Sequence, residues 1–284
     1  MQNTTKNKKA DLTNLIEQIL YIPCGYCTNN QKSIFKSEKS KKVKFYAGTF
    51  LIKHRNHGYI LYDTGYDIRL TKKASLLSRI KYFISTALNP VTLNKNEMID
   101  FQLKKLGINL NEIKYVILSH LHSDHIGRSK AFKNALFILT KDCYKNLQKS
   151  SFKALIFKEF LPKDLDKRLK ILDCNTTKDS FKFLPVTDLF NDNSMLISSI
   201  SGHAKGQACV YFPERKLLIA ADVSWRDEYI SKVDKFKIIP KLIQDDFNEY
   251  KKNINLIKRI KKSGIKVIFS HEKQPIIKQI LKEQ

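Results

Sequence analysis

The sequence is poor in the residues that punctuate or staple a chain. Nine glycines and seven prolines in 284 residues exclude collagen-like and low-complexity classes. Five cysteines, Cys24, Cys27, Cys143, Cys174 and Cys209, are odd in number and irregularly spaced. That argues against a disulfide framework and fits a reducing cytoplasm. No run approaches the roughly 18 apolar residues of a membrane helix. The opening stretch MQNTTKNKKADLTNLIEQIL has no apolar centre of the kind a secretory signal needs, so a cytoplasmic protein is expected. Arginine is scarce too, with eight residues against a Lys+Arg total of 52. Nucleic-acid readers favour the rigid arginine fork, and the lysines here are spread over the whole chain. The formal charge of +25 therefore reads as a solvated surface, and a nucleic-acid partner is disfavoured.

Hydrophobic residues make up 42% of the chain, enough for a substantial core. The segments VKFYAGTFLIKH and GYILYDTG read as a hairpin about a polar turn, on their β-branched and aromatic content. Residues 96–106 read as a helix stopped by Gly107, and 151–161 as another. Short apolar runs follow as strand candidates, and a helix spans about 248–262. Strands alternate with helices and no linker stands out. This pattern predicts one domain, a four-layer αββα sandwich of two mixed sheets flanked by helices. Residues 1–20 are expected to form an extension, partly disordered or helical, ahead of a domain over 21–284. An insertion is expected near 67–95, whose stretch Leu76 to Leu88 serves either as an apolar lid or as a helix covering the core.

Chemistry concentrates at strand ends. YVILSH ends at His120, LLIAAD at Asp222 and VIFSH at His271. The stretch His120-Leu-His122-Ser-Asp124-His125 packs three imidazoles and a carboxylate into six residues. These are the ordinary non-thiolate ligands of zinc. Residues two apart on an extended backbone face one side, so His120 and His122 can reach one metal, while Asp124 and His125 can address a second after the chain turns. Gly127 is expected to ease that turn. Five of the seven histidines are His120, His122, His125, His203 and His271; the other two, His54 and His57, flank a turn and are expected to be solvated. Cys24 and Cys27 form CGYC, but a redox pair normally opens a helix that lowers the thiolate pKa, and the asparagine-rich sequence beyond promises none.

HLHSDH resembles the HxHxDH motif of the metallo-β-lactamase-fold hydrolases. SGHAKGQ around His203, AAD ending at Asp222, FSH ending at His271 and the upstream YDTG follow in the same order, so the likeness covers most of the chain. The resemblance implies two zinc ions, iron or manganese being alternatives on the donor set. His120, His122 and His203 would hold the first, Asp124, His125 and His271 the second, and Asp222 would bridge them. Asp63 matches a residue that supports the metal-binding loops; the alternative is a turn aspartate capping Gly65. A dinuclear site activates water for attack on a carbonyl or phosphoryl centre, with Asp124 or Asp222 passing a proton to the leaving group.

Within that family the chain is similar to the acyl-homoserine-lactonase-like branch, through IPCGYC, YILYDTG, the insertion and the spacing of the metal elements. The resemblance implies a lactone or related small ester as substrate, with a phosphodiester, nucleic acid or thioester as alternatives. One departure stands out. That branch tends to carry a tyrosine shortly after the bridging aspartate, where this chain has Trp225. An indole N–H donates a hydrogen bond but is no phenolic acid. Trp225 is a candidate wall of the substrate pocket, and Tyr229 a candidate replacement for the missing hydroxyl.

Overall fold

The computed structural model describes residues 14–67, 76–149, 151 and 154–283. Two mixed sheets stack face to face. The first runs β4-β1-β2-β3-β5-β6-β7, with β1 Ile16–Asn30, β2 Lys42–His54, β3 Gly58–Tyr62, β4 Val91–Thr92, β5 Ile113–Ile117, β6 Leu136–Thr140 and β7 Leu169–Leu172. The second runs β13-β12-β11-β10-β9-β8, with β8 Thr176–Lys178, β9 Phe181–Asp188, β10 Leu196–Ile200, β11 Gln207–Phe212, β12 Leu217–Ile219 and β13 Lys266–Ile268.

Alternation along the strands divides the core into three layers. Ile138 of β6 and Ala208, Val210 and Phe212 of β11 point between the sheets. Their neighbours Phe137 and Leu139 point outward against the helix Ile99–Lys105 and the helix Lys141–Lys149. On the far side, Cys209, Tyr211 and Leu218 meet the helix Phe247–Lys262. That helix starts where the Asp246 carboxylate accepts the Glu249 N–H at 3.0 Å, a cap worth about 1 kcal/mol. It buries Tyr250, Ile254, Ile257 and Ile260 at a helical period. Each such side chain, fully buried, contributes about 1.5–3 kcal/mol. The expected αββα layering is what the chain adopts.

Several boundaries differ from the sequence reading. Residues 1–13 and 68–75, parts of the expected extension and insertion, lie outside the described residues. The first strand begins at Ile16, inside the stretch assigned to the extension, and pairs with the end of β2 from Ile16 opposite His54. Leu76–Leu88 is a helix. The helix expected over 151–161 is not formed across 154–161, where only the 3₁₀ turn Lys158–Phe160 appears; residues 152–153 are not described. Leu155 has φ 49°, a left-handed value that an α-helix of L-residues cannot pass through. The helix expected over 96–106 is split at Met98 into the 3₁₀ turn Lys95–Glu97 and the helix Ile99–Lys105. Neither β9 nor the C-terminal helix Gln274–Lys282 was anticipated.

Topology gathers the strand ends. β3 is parallel to β5, β12 is parallel to β13, and β10 shares their direction because β11 is antiparallel to both β10 and β12. Their C-terminal ends therefore meet at one edge of the sandwich. There the sheets are tied together: Ala208 N–H donates to Ser119 O at 2.7 Å, and the Tyr62 hydroxyl to Ala208 O at 2.7 Å.

Candidate metal centre

All seven residues of the histidine and aspartate set converge on that edge. The His120 Nε2 and His122 Nδ1 atoms are 3.0 Å apart, and His122 Nδ1 is 3.2 Å from His203 Nε2. Asp222 Oδ2 lies 2.9 Å from His271 Nε2 and 3.4 Å from His203 Nε2, and its other oxygen is 3.7 Å from His125 Nε2. Asp124 Oδ2 is 3.6 Å from both His125 Nε2 and His271 Nε2. One carboxylate thus stands between two groups of imidazoles. The donor atoms of His120, His122 and His203, of Asp124, His125 and His271, and of His120, His125 and Asp222 form compact sets, each within 4.8 Å.

These atoms fit a cation better than they fit one another. Among the described residues, His125 Nε2 and Asp222 Oδ1 are buried without a hydrogen-bond partner, a deficit of about 1–3 kcal/mol each in a packed interior. His122 Nδ1 faces two ring nitrogens at once, and a single proton can satisfy only one of those contacts. The His/Asp donors suit a divalent ion such as zinc. Charge is divided in the same way. Burial, helped by neighbouring imidazoles, pushes His120 and His122 well below the ordinary imidazole range, which keeps them neutral as ligands must be. Burial opposes charging of His125 too, but the carboxylates of Asp124, Asp63 and Asp222 override it and raise its pKa well above the usual value. His271 is raised by Asp222 and Asp124 against the same burial. Burial alone would raise Asp222; His271 and His125 instead hold it well below the usual carboxylate range.

The far ring nitrogens are each held. Asp63 is fully buried. Its Oδ1 accepts Ser119 N–H at 2.7 Å, and its Oδ2 accepts the Ser119 hydroxyl at 2.7 Å and meets His125 Nδ1 at 2.7 Å. This carboxylate ties Ser119 and His125 together and makes no hydrogen bond to Gly65 among the described residues. The Ser119 hydroxyl also sits 3.0 Å from His120 Nδ1. Gln244 Oε1 meets His203 Nδ1 at 2.7 Å, and Tyr46 O meets His271 Nδ1 at 2.7 Å. Such contacts fix which ring nitrogen is turned toward the cluster and left able to ligate. Ser119, Gln244 and the Tyr46 carbonyl were not singled out in the sequence. Backbone strain sits at the same edge: Asp63 has φ 62° and Ala221, just before Asp222, φ 45°, conformations that cost of order 1–3 kcal/mol. Gly127 is helical, with φ −51°, so it does not ease a turn as expected. Its lack of a side chain admits a neighbour: a Cβ there would lie 2.4 Å from Asp67 N and 2.6 Å from Gly65 O.

The two pocket candidates part company. Trp225 stands beside the centre, its ring 6.5 Å from His203 and stacked on Phe236 at 5.5 Å. Tyr229 is 1% exposed and packs against Phe35 and Phe45, while Phe45 itself meets His271 at 6.0 Å. The Tyr229 hydroxyl is buried and has no hydrogen-bond partner among the described residues, so it is closed off from solvent in this structure, against the role expected of it. His54 is also not solvated. It is 1% exposed and forms a second cluster with His57 and Asp192. There His54 Nδ1 accepts Asn56 N–H at 3.1 Å, leaving Nε2 to donate to Ser194 Oγ at 3.0 Å. Both ring nitrogens are used, so this cluster reads as a hydrogen-bonded corner.

The sequence profile described as metallo-beta-lactamase superfamily matches residues 47–271. Among curated proteins, N-acyl homoserine lactonase AttM of Rhizobium radiobacter is 31% identical over 137 residues, which are 47% of this chain and 49% of AttM. The chain thus spans about half the length of that relative. Among solved structures, Bacillus thuringiensis AiiA with N-decanoyl-L-homoserine bound at the active site superposes with a TM-score of 0.68 at 20% identity, covering 93% of this chain and 96% of that one. AidC, described as a dizinc quorum-quenching lactonase, superposes with a TM-score of 0.63 at 16% identity, covering 90% of this chain and 88% of that one. At such identities the superpositions establish the shared fold, and the profile, running through β2 to the last histidine of the cluster, places the chain in the metallo-beta-lactamase superfamily.

Proposed function

We propose that the protein is a dinuclear zinc hydrolase that opens a lactone ring, of which an N-acyl homoserine lactone is the leading candidate. The observation that carries this reading is Asp222, a single carboxylate set between the two imidazole groups. His120, His122 and His203 would hold one ion, Asp124, His125 and His271 the other, and Asp222 would touch both. When bound, such a pair supplies a water that ionises near neutral pH and a Lewis acid for the carbonyl oxygen. The names of AttM, AiiA and AidC support the choice of lactone.

The chain's own residues supply the rest. Ser119, Asp63, Gln244 and Tyr46 O orient the imidazoles. Trp225, 9% exposed, and Phe45 exclude water on the His203–His271 side. On this reading the Asp124 carboxylate, its side chain 16% exposed, would take the proton lost by the attacking water and return it to the departing alkoxide. The Trp225 indole N–H can hold a carbonyl or amide oxygen of the substrate but cannot protonate it.

A substrate panel tests the reading. N-acyl homoserine lactones should be turned over by zinc-loaded protein and lost in Asp222→Ala, with metal content falling in parallel. Turnover of bis(p-nitrophenyl) phosphate with none of any lactone would overturn the substrate class. Full activity of the metal-stripped protein would overturn the mechanism.

A further inference from the structure

The helix Ile238–Leu242 exposes three large aliphatic side chains within five residues: Ile238 is 74% exposed, Ile239 57% and Leu242 65%. Isolated exposed apolar residues need no explanation, but an adjacent group does. The segment is not loosely held. Pro240 is buried, and Gln244 Nε2 donates to Pro240 O at 2.8 Å. Its apolar tip is a fixed feature of the surface.

Lysines ring the tip. Lys235, Lys237 and Lys241 flank it in sequence, and Lys36 is brought alongside: its N–H donates to Lys235 O at 2.8 Å, while Lys237 N–H donates to Ile34 O at 2.9 Å. None of these four pairs with a carboxylate among the described residues. Three nearby acids, Glu38, Asp234 and Asp246, are engaged elsewhere, and Asp245 is half-buried. Glu38 pairs with Lys232 at 2.7 Å and Asp234 with Lys251 at 2.5 Å. Asp246 caps the following helix, and Lys241 lies over the Phe247 ring at 5.2 Å.

We propose that this patch docks the protein on an anionic lipid surface, the aliphatic tip entering the headgroup boundary and the lysines meeting lipid phosphates. The composition separates this partner from a protein. Protein interfaces are depleted in lysine, whereas an aliphatic point with a lysine collar is what an anionic bilayer attracts. The patch adjoins the metal centre by a short covalent path. Gln244, two residues beyond Leu242, orients His203, and Asp245 N–H donates to His203 O at 3.1 Å. Docking would hold this side of the centre near the membrane, where amphiphilic esters partition. The inference does not depend on the substrate.

Cosedimentation of the full chain with vesicles tests it. Vesicles containing phosphatidylglycerol should bind the protein, and pure phosphatidylcholine vesicles should not. Ile238→Ser with Leu242→Ser should abolish binding and leave metal content and turnover of a soluble substrate unchanged. Lys235→Gln with Lys237→Gln should weaken it about fivefold per lysine, giving a second readout should the serine variant fold poorly. Lys130→Gln with Lys133→Gln makes the same charge change elsewhere and should leave binding intact. Equal loss in that control, no binding to anionic vesicles, or a dimer by light scattering that the serine variant dissociates would each overturn the proposal.

Discussion

Replacing Asp63 by asparagine removes a charge without changing shape, and the consequences can be worked out atom by atom. The carboxylate takes the Ser119 N–H, the Ser119 hydroxyl and the His125 Nδ1 proton, all at 2.7 Å. An amide oxygen on the Ser119 N–H side turns the amide nitrogen toward Ser119 Oγ and His125 Nδ1. His125 must then accept at Nδ1 and carry its proton on Nε2, the atom that faces Asp124 and Asp222. In that tautomer it cannot ligate a metal. A charge-assisted hydrogen bond contributes about 1.5–3 kcal/mol, and breaking one side of a buried pair costs about 3–5 kcal/mol. A loss of about 3–5 kcal/mol is therefore expected, a large share of the roughly 5–15 kcal/mol that stabilises a typical domain. Metal affinity should fall about 10- to 100-fold. Urea melts of metal-stripped protein read the first quantity, and zinc competition against a chromophoric chelator reads the second. Ser119→Ala, which removes one of the three bonds, should cost about 1 kcal/mol and serves if the asparagine variant does not fold. Stability within 0.5 kcal/mol and unchanged zinc affinity in Asp63→Asn would refute the reasoning.

Three further outcomes are expected. Gln244→Leu takes the acceptor from His203 Nδ1 and should weaken zinc about 10-fold or more, measured by the same competition. Gly127→Ala meets the backbone atoms Asp67 N and Gly65 O, which cannot swing aside; its helical φ suits alanine, so the cost is purely steric, about 1–3 kcal/mol in urea. Burial pushes the Cys24 and Cys143 thiols up to about 12, so these two buried thiols should not react with a disulfide reagent at pH 8 until urea unfolds the chain. Because folding raises these pKa values, the stability they contribute is complete below the ordinary thiol pKa of about 8.5 and declines as pH rises from there toward about 12, as unfolded thiols ionise while buried ones do not.

What could be read from the sequence was chemistry carried by residue type at strand ends. A run such as VIFSH fixes both a buried strand and the position of its ligand. What could not be read was burial imposed by distant chain. Ile16 and Ile19 are both buried although three residues apart, because a register shift falls between Ile16 and Gln18; in sequence that spacing mimics a helix. The apolar residues Ala154, Phe157 and Phe160 have helical spacing as well, and all are buried, yet Leu155 turns left-handed between them. Gln244 reaches His203 across 41 residues from an unremarkable lysine-rich stretch, and only tertiary packing reveals it. The position of Tyr229 one turn after Trp225 suggested a shared pocket, but the intervening segment Asp227–Lys235 turns its ring into the aromatic core.

Removing Tyr229 from the centre sharpens the question of which group gives up the proton. Asp222 is the less suited: its side chain is 3% exposed, and although burial alone would raise its pKa, His271 and His125 hold it well below the usual carboxylate range. Asp124 faces His125 and His271 at 3.6 Å but keeps 16% of its side chain open to solvent, so it is the more accessible of the two carboxylates. On the proposed reading, Asp222 and Asp124 therefore divide the work, the first fixing the geometry of the centre and the second handling the proton. Trp225, standing where the lactonase-like branch tends to place a phenol, makes that division stricter. On the same reading, the proton that the indole cannot supply comes from Asp124. Asp124→Asn should accordingly depress kcat for lactones with ordinary alkoxide leaving groups far more than for esters whose leaving phenolate needs no proton. Equal losses for both substrates would show that Asp124 acts only as a ligand.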